Sequence, residues 1–540
     1  MVVMSAVHQS RMFQTLLLRP SSAGLGRVVL HRLTSTTASS QQVSEAVLEE
    51  ARPATEIPGP RAFPIVGSLP FIMTDKNFDS KRFHKYWASL IERYGPIVRL
   101  VNPGLGAVVA VANPEDCEKI NRASTDQPQR TPLTSLKHLR DNWTDNYFEK
   151  RSGILGENGD EWWRVRSRVQ NAMMKPMVVR EYLAEMDDVT LTFMDRIQEL
   201  QDKHGQMPDN FQEELYKWAL ETVGVVALDR RFGCLGAPPG SEAARRGEEL
   251  ISVVNNLFSS MAALELKTRV WLLFPSLFPS YRRLRDNHTK LLQIVTEQVA
   301  ETVALLQEGK AEGDMQLPGE RQHSVLMKLL STPGLSQKDV LTFIMDIVFA
   351  GIDTTSHTMA FCLYLLAKNP EVQRKLQKEV DEVVGDLQGP LTPQHMARLS
   401  YAKAVIKETF RIFPLTFSLA RILTQDLVLQ GYRIPAGTNV FSLNPLIGWD
   451  ASVFPRPDEF LPERWLRDRP LGDIHPFAII PFGAGSRMCV GRRVAEQEMY
   501  TLLARVVQRF TVEYHHEDLE QLTGLVFYPS RPLRFNFLPR

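Results

Sequence analysis

The chain has 540 residues, 44% hydrophobic and 23% charged, and its 63 basic side chains against 62 acidic ones leave a formal charge of +1. This is the composition of a globular protein with a large core, and it excludes disordered, collagen-like and coiled-coil chains. Near-neutrality also excludes a protein whose work is coating nucleic acid, which needs a pronounced basic excess to displace counterions from phosphate.

Residues 1–44 hold Arg11, Arg19, Arg27 and Arg32, many Ser and Thr, and no acid before Glu45. That is the make-up of a mitochondrial transit peptide, with a disordered basic tail as the other reading. Nowhere does the chain offer the run of about 18 apolar residues that a membrane-crossing helix requires. Residues 45–70 form a proline-rich lead-in, with Pro58, Pro60, Pro64 and Pro70; each fixes φ and lacks an amide donor, so regular helix is excluded over Ile57 to Pro70. The remaining residues, 71–540, are expected to make one large domain.

Extended, β-branched stretches occur near Ile97 to Val111 and Leu427 to Val440, the second with turns at Gln430-Gly431 and Pro435-Ala436-Gly437. Between them, apolar residues at three- and four-residue spacing predict helix over 180–230, 287–308, 338–368, 370–384 and 399–412. Breaks fall at Gly236 to Gly240, around Gly313 to Gly319, at Asn369-Pro370 and at Gly389-Pro390. The fold class is therefore mainly α with a minor β-sheet part. Cys117, Cys234, Cys362 and Cys489 are far apart and lack zinc-site spacing, so neither a disulfide framework nor a zinc cluster is expected.

Several local patterns carry chemistry. In Glu161-Trp162-Trp163-Arg164-Val165-Arg166, an indole and a guanidinium four residues apart share one helix face. The segment from Val270 to Pro279 is apolar and is followed by Arg282, Arg283 and Arg285, which suits either a membrane surface or core packing. Ala350-Gly351-Ile352-Asp353-Thr354-Thr355 places a glycine, an acid and two hydroxyls inside an apolar helix, at a cost in helix stability that invites a functional reading. Glu408 and Arg411 are i, i+3 partners. Lys403 and Lys407 share a stripe, with Lys403 about 140° around the helix from Glu408 and free to face solvent. In Phe482-Gly483-Ala484-Gly485-Ser486-Arg487-Met488-Cys489-Val490-Gly491, small residues allow close approach to a flat ligand. Arg487 can meet a carboxylate, and Cys489 can offer a thiolate favoured by the amides of a helix starting just after it.

The last segment matches FxxGxRxCxG, the haem-binding signature of the cytochromes P450, at Phe482, Gly485, Arg487, Cys489 and Gly491, and after residue 44 the chain resembles that family along essentially its whole length. The resemblance implies a cytochrome P450 fold, a single large helical domain, and haem b (iron protoporphyrin IX) with Cys489 as axial thiolate and metal ligand. It implies that Asp353 and Thr354 relay protons to the oxygen being activated. Glu408, Arg411 and Arg464 would form a buried structural triad. Trp162, Arg166, Arg421 and Arg487 would hold the haem propionates, with Trp163 the alternative if the register slips by one.

Lys403-Ala404-Val405-Ile406-Lys407-Glu408 resembles the mitochondrial members, which dock an acidic, adrenodoxin-like 2Fe-2S ferredoxin served by its reductase; Arg492 and Arg493 would extend that basic face. The implied location is the matrix side of the inner mitochondrial membrane, held peripherally. Phe349, Thr416, Phe417, Ser418 and Phe527 fall where family members touch substrate, a wall suited to an apolar, sterol-like molecule oxidised with O2. The stretches Glu161 to Gln170 and Arg421 to Tyr432 are most similar to the arthropod ecdysteroid 22-hydroxylases, implying an ecdysteroid precursor oxidised at C-22. Other mitochondrial sterol, vitamin-D-like or xenobiotic hydroxylases remain open, as does a haem carrier or sensor that never turns over. One departure stands out: after Asn444 the family usually has Arg or His before a DP-like turn, whereas this chain has Gly448-Trp449-Asp450-Ala451.

Overall fold

A computed structural model describes residues 45–102, 106–124, 128–202, 205–265, 269–307 and 324–540. The proposed leader and the expected break around Gly313 to Gly319 lie outside these residues.

Helix dominates. The principal helices are α1 (Phe83–Tyr94), α2 (Thr134–Asp141), α3 (Gly159–Met173), α4 (Leu183–Leu200), α5 (Phe211–Leu228), α6 (Glu242–Glu265), α7 (Pro279–Gln307), α8 (Gln337–Lys368), α9 (Pro370–Val383), α10 (Ser400–Ile412) and α11 (Arg492–Arg509). The continuous helix expected over 180–230 is instead two helices, because Pro208 cannot continue the ladder and Asn210 opens α5. The spine is α8, 32 residues and about 48 Å long. It starts at a capping box between Ser336 and Asp339, is apolar almost all round, and stops at Asn369-Pro370. Against it runs α5, antiparallel and close enough that a Cβ on Gly351 would come within 2.6 Å of Val223 Cγ2. The glycine of the Gly351-Ile352-Asp353 motif is thus required by helix packing.

The minor β part holds a four-stranded sheet ordered β2 (Ile97–Asn102), β3 (Gly106–Val111), β7 (Asn439–Ser442) and β4 (Leu419–Ile422). A smaller sheet pairs β1 (Arg52–Pro53) with β6 (Tyr432–Ile434), and β6 with β5 (Leu427–Leu429). The β5–β6 turn has positive φ at both Gln430 and Gly431, as a two-residue hairpin demands. The lead-in is bound to the body through β1 and through Arg99 N–H donating to Pro58 O; a side chain at residue 59 would collide with Arg99 O, which explains Gly59. Two short antiparallel pairs, β8 (Phe510–Glu513) with β11 (Asn536–Pro539) and β9 (Gln521–Thr523) with β10 (Phe527–Pro529), complete the described sheets.

Candidate active site

The Cys489 loop is shaped by its backbone. Gly483 and Gly485 both take positive φ, Gly483 N–H donates to Ile480 O, and Cys489 N–H donates to Phe482 O at 2.8 Å, which closes the loop on Phe482. Gly491 then caps α11. The N–H groups of Gly491 and Arg492 point at the Cys489 sulfur and, with the Arg166 and Arg492 guanidiniums, favour thiolate; burial is the larger effect and pushes the thiol pKa up. Yet Cys489 is exposed where the other three cysteines are buried. Its thiol is therefore open to a ligand. The Phe482 ring packs edge-on against Phe410 at 5.4 Å.

Four arginines converge on this loop. Arg487 donates to Pro128 O, Glu157 O and Asn158 Oδ1 and stacks over the Trp162 ring at 4.1 Å, while its Nη1 is buried without a partner. From α3, Arg166 donates to Met488 O at 2.7 Å and leaves Nε unpartnered. From β4, Arg421 donates only to the neighbouring Ala420 O. The fourth is Arg130, which no motif marked; it donates to Leu155 O, and its buried Nε has no partner. Burial first, and then the other guanidiniums, press the pKa of Arg487, Arg166 and Arg421 below the usual range; burial likewise lowers Arg130. Arginine keeps its proton in proteins, so guanidiniums clustered in this way favour an anion beside them. None of the four pairs with a carboxylate among the described residues. Trp162 is 3% exposed beside them, whereas Trp163 is 43% exposed and faces outward.

Helix α8 is buried from Thr342 to Leu366 except at Ile347, Ala350, Gly351 and Thr354, a helical stripe that is partly accessible. Thr354 lies on this stripe, its hydroxyl donating back to Ala350 O at 2.6 Å. Asp353 is 4% exposed, Oδ1 has no partner, and burial raises its pKa to about 7.

The triad is closely knit. Glu408 and Arg411, both fully buried, form a two-bond ion pair; Arg464 Nε, Leu461 N–H and Trp465 Nε1 also donate to the Glu408 carboxylate. Arg411 spends its remaining donors on Gly448 O, Pro457 O and Glu459 O. Gly448 is required here, since a Cβ would sit 2.9 Å from Ile479 Cδ1 and 3.3 Å from Arg411 Cγ. Trp449 closes the gap by donating from Nε1 to Ile412 O.

On the surface beside this loop, Lys407 is exposed, but Lys403 is half-buried and donates to Ala397 O, so it faces solvent less than its helix angle implies. Arg492 and Arg493 share the acid Glu496. In the expected substrate wall, Thr416 and Ser418 line a small cleft with Leu415, Ile479 and Ile480. Phe417 and Phe527 pack together in an aromatic cluster with Phe83, Trp87 and His84, and Phe349 stacks on Phe258 at 4.3 Å. From the apolar segment, Trp271 is buried while Val270, Leu273, Phe274 and Leu277 are 57–73% exposed.

A thiol on the loop that leads into α11, beside guanidiniums that lack carboxylate partners among the described residues, suits a ligand that carries both a metal and acidic groups. Residues 57–537 match the family Cytochrome P450. The chain is 32% identical to "Probable cytochrome P450 49a1" of Drosophila melanogaster, across 94% of this chain and 87% of that protein. It is 31% identical to "Cytochrome P450 10" of Lymnaea stagnalis, across 93% and 89%, and 35% identical to "Probable cytochrome P450 12a5, mitochondrial" of Drosophila melanogaster, across 83% and 84%. The chain belongs to the cytochrome P450 family and is a monooxygenase that uses haem with an axial cysteine thiolate, O2 and a redox partner. The residues present fit that cofactor: a thiol at a helix N-terminus for the metal, and unmatched guanidinium N–H groups for two propionates.

Proposed function

We propose that this enzyme is a mitochondrial monooxygenase that hydroxylates an apolar, sterol-sized lipid, with an ecdysteroid precursor oxidised at C-22 as the specific case. The observation that carries the site assignment is the accessible Cys489 thiol beside the buried Arg166 and Arg421 and the half-buried Arg130 and Arg487, none of which has a carboxylate partner among the described residues. Haem with a thiolate ligand supplies O2 activation and insertion of one oxygen atom into an unactivated C–H bond. Cys489 would hold the iron. Trp162, Arg166, Arg421, Arg487 and Arg130 would grip the propionates, and Phe482 and Gly491 would shape the thiolate loop.

Asp353, protonated up to about pH 7, is suited to hand a proton to Thr354, whose hydroxyl lies on the accessible stripe of α8. The Glu408–Arg411–Arg464 triad would anchor the segments behind the Cys489 loop. Lys407, Lys403, Arg492 and Arg493 would receive a 2Fe-2S ferredoxin carrying electrons from its reductase.

Three features support the cellular setting: the basic, acid-free residues 1–44, read as a transit peptide; relatives named mitochondrial; and the exposed Leu273, Phe274 and Leu277 edged by exposed Arg282, Arg283 and Arg285. That apolar surface suits peripheral contact with the matrix side of the inner membrane. Residues 45–70 would then be the lead-in and 71–540 the catalytic domain. The substrate reading rests on the likeness of residues 161–170 and 421–432 to ecdysteroid 22-hydroxylases. Mass spectrometry of products from enzyme reconstituted with ferredoxin and its reductase tests it. Oxidation of ecdysteroid precursors on the side chain supports the specific case, and oxidation of other sterols alone would replace it.

A further inference from the structure

Behind Asp353, away from the accessible stripe, lies a polar chain that the catalytic reading does not use. His357 is one helical turn further along α8, on the same face as Asp353, and is 5% exposed. Its Nε2 is 2.9 Å from the hydroxyl of Tyr216 on α5. Its Nδ1 is buried without a partner, as is Asp353 Oδ1. Burial drives the His357 pKa down to about 3, so the ring is neutral. With Tyr216 donating to Nε2, the ring proton sits on Nδ1, on the side of the helix that Asp353 shares. Residues at i and i+4 are neighbours on a helix face, with Cβ atoms about 6 Å apart, so a single water is enough to join two polar side chains there, and these two orphaned atoms are partners such a water needs. Tyr216 is half-buried and the adjoining Glu213 is exposed, so the chain leads from the α5 surface to the acid. The other titratable group facing His357 is Tyr528 on β10, with ring centroids 6.4 Å apart; the Asp353 and Glu213 charges both act on Tyr216.

We propose that Tyr216 and His357 are positioning residues forming the solvent-side arm that reprotonates Asp353 during turnover. The proposal rests on the monooxygenase reading above, in which Asp353 gives up a proton each time Thr354 is resupplied. The step is a proton relay without change of oxidation state. Tyr216 passes its hydroxyl proton to His357 Nε2 and takes another from solvent, His357 releases its Nδ1 proton through the bridging water to the Asp353 carboxylate, and the ring returns to its first tautomer when the chain reorients. An ordinary buried Tyr–His hydrogen bond serving packing alone would leave two polar atoms, Nδ1 and Oδ1, desolvated without return, an arrangement that folded proteins rarely tolerate.

The test uses the haem-loaded enzyme with Tyr216→Phe, His357→Phe and Asp353→Asn, each first checked for the reduced carbon monoxide band and for a normal substrate-induced spectral shift. Tyr216→Phe removes one oxygen atom, so it carries the test if His357→Phe folds poorly. The expected result is an about tenfold fall in the share of electrons recovered as product, with hydrogen peroxide in its place, a raised solvent isotope effect on kcat, and no further loss when His357→Phe is added to Asp353→Asn. Independently of turnover, the infrared band of the protonated carboxyl that Asp353→Asn deletes should shift in His357→Phe. Wild-type coupling, isotope effect and carboxyl band in both single variants, with Asp353→Asn uncoupled, would overturn the arm while leaving the monooxygenase intact. Full coupling in Asp353→Asn would overturn it as well, through the acid it serves. Absence of the carbon monoxide band in the wild type would instead refute the haem-thiolate reading itself.

Discussion

Replacing Glu408 by Gln removes one charge and keeps the shape. Three donors meet Oε1 (Arg411 Nη2, Arg464 Nε and Leu461 N–H) and two meet Oε2 (Arg411 Nε and Trp465 Nε1), all without solvent. Whichever way a glutamine amide is turned, its NH2 faces at least two of those donors, and the two guanidiniums lose their counter-charge. Breaking one side of a buried pair costs about 3–5 kcal/mol, against a total stability on the order of 5–15 kcal/mol. A fair control is Arg469→Ala, whose partner Asp473 is 87% exposed; such a surface pair is worth under about 1 kcal/mol. The assay is the rate of unfolding in urea, followed by circular dichroism and by haem release, because a large cofactor protein is compared more safely by kinetics than by a two-state fit. Glu408→Gln should unfold at least about 100-fold faster than the control. Equal rates would refute the idea that this carboxylate holds the segments behind the Cys489 loop.

Thr354→Ala should retain haem and substrate binding but divert electrons to hydrogen peroxide, read as the ratio of product to electron donor consumed; an unchanged ratio removes Thr354 from proton delivery. Burial raises Asp353 to about 7, so the folded protein holds this proton while the unfolded chain has lost it. Stability should therefore fall as pH rises from about 4 to 7, by an amount on the order of 4 kcal/mol, and Asp353→Asn should flatten that slope. Product coupling should likewise decline above about pH 7 in the wild type. Arg487→Leu should weaken haem retention by about tenfold, measured as transfer to apomyoglobin, since it removes a buried donor directed at an anion. Lys407→Glu should weaken ferredoxin binding most at low salt, and an unaltered salt dependence would place docking elsewhere.

What the sequence made legible was local. The Cys489 loop, the Glu408–Arg411 pair and the Gln430-Gly431 hairpin each depend on residues a few positions apart, where spacing alone dictates geometry. Helix α8 was legible because its caps and its apolar run agree. The four-stranded sheet was half legible: β2, β3 and β7 fell in the extended stretches, but β4 has only four residues and gains its partners from β7. Helix α6 lies outside the ranges predicted from spacing, although Leu250, Ile251, Val254, Leu257, Phe258, Met261 and Leu264 recur at three- and four-residue spacing and pack against α7 and α8. Arg130 carries no motif; only the tertiary fold brings it to Arg487. Of the expected substrate wall, sequence spacing shows only that Phe349 adjoins the accessible stripe of α8; its stacking on Phe258 comes from the tertiary fold.

The central claim is that Cys489, and no other group, holds the iron of a haem gripped by the surrounding arginines. Its most direct measurement is the absorption spectrum of the reduced holoprotein under carbon monoxide, in the wild type and in Cys489→Ser. A strongly red-shifted Soret band in the wild type that vanishes in the variant, with haem still bound, is the predicted result. A red-shifted band that survives the substitution, or a wild type that shows only the spectrum of a histidine-ligated haem, would contradict it.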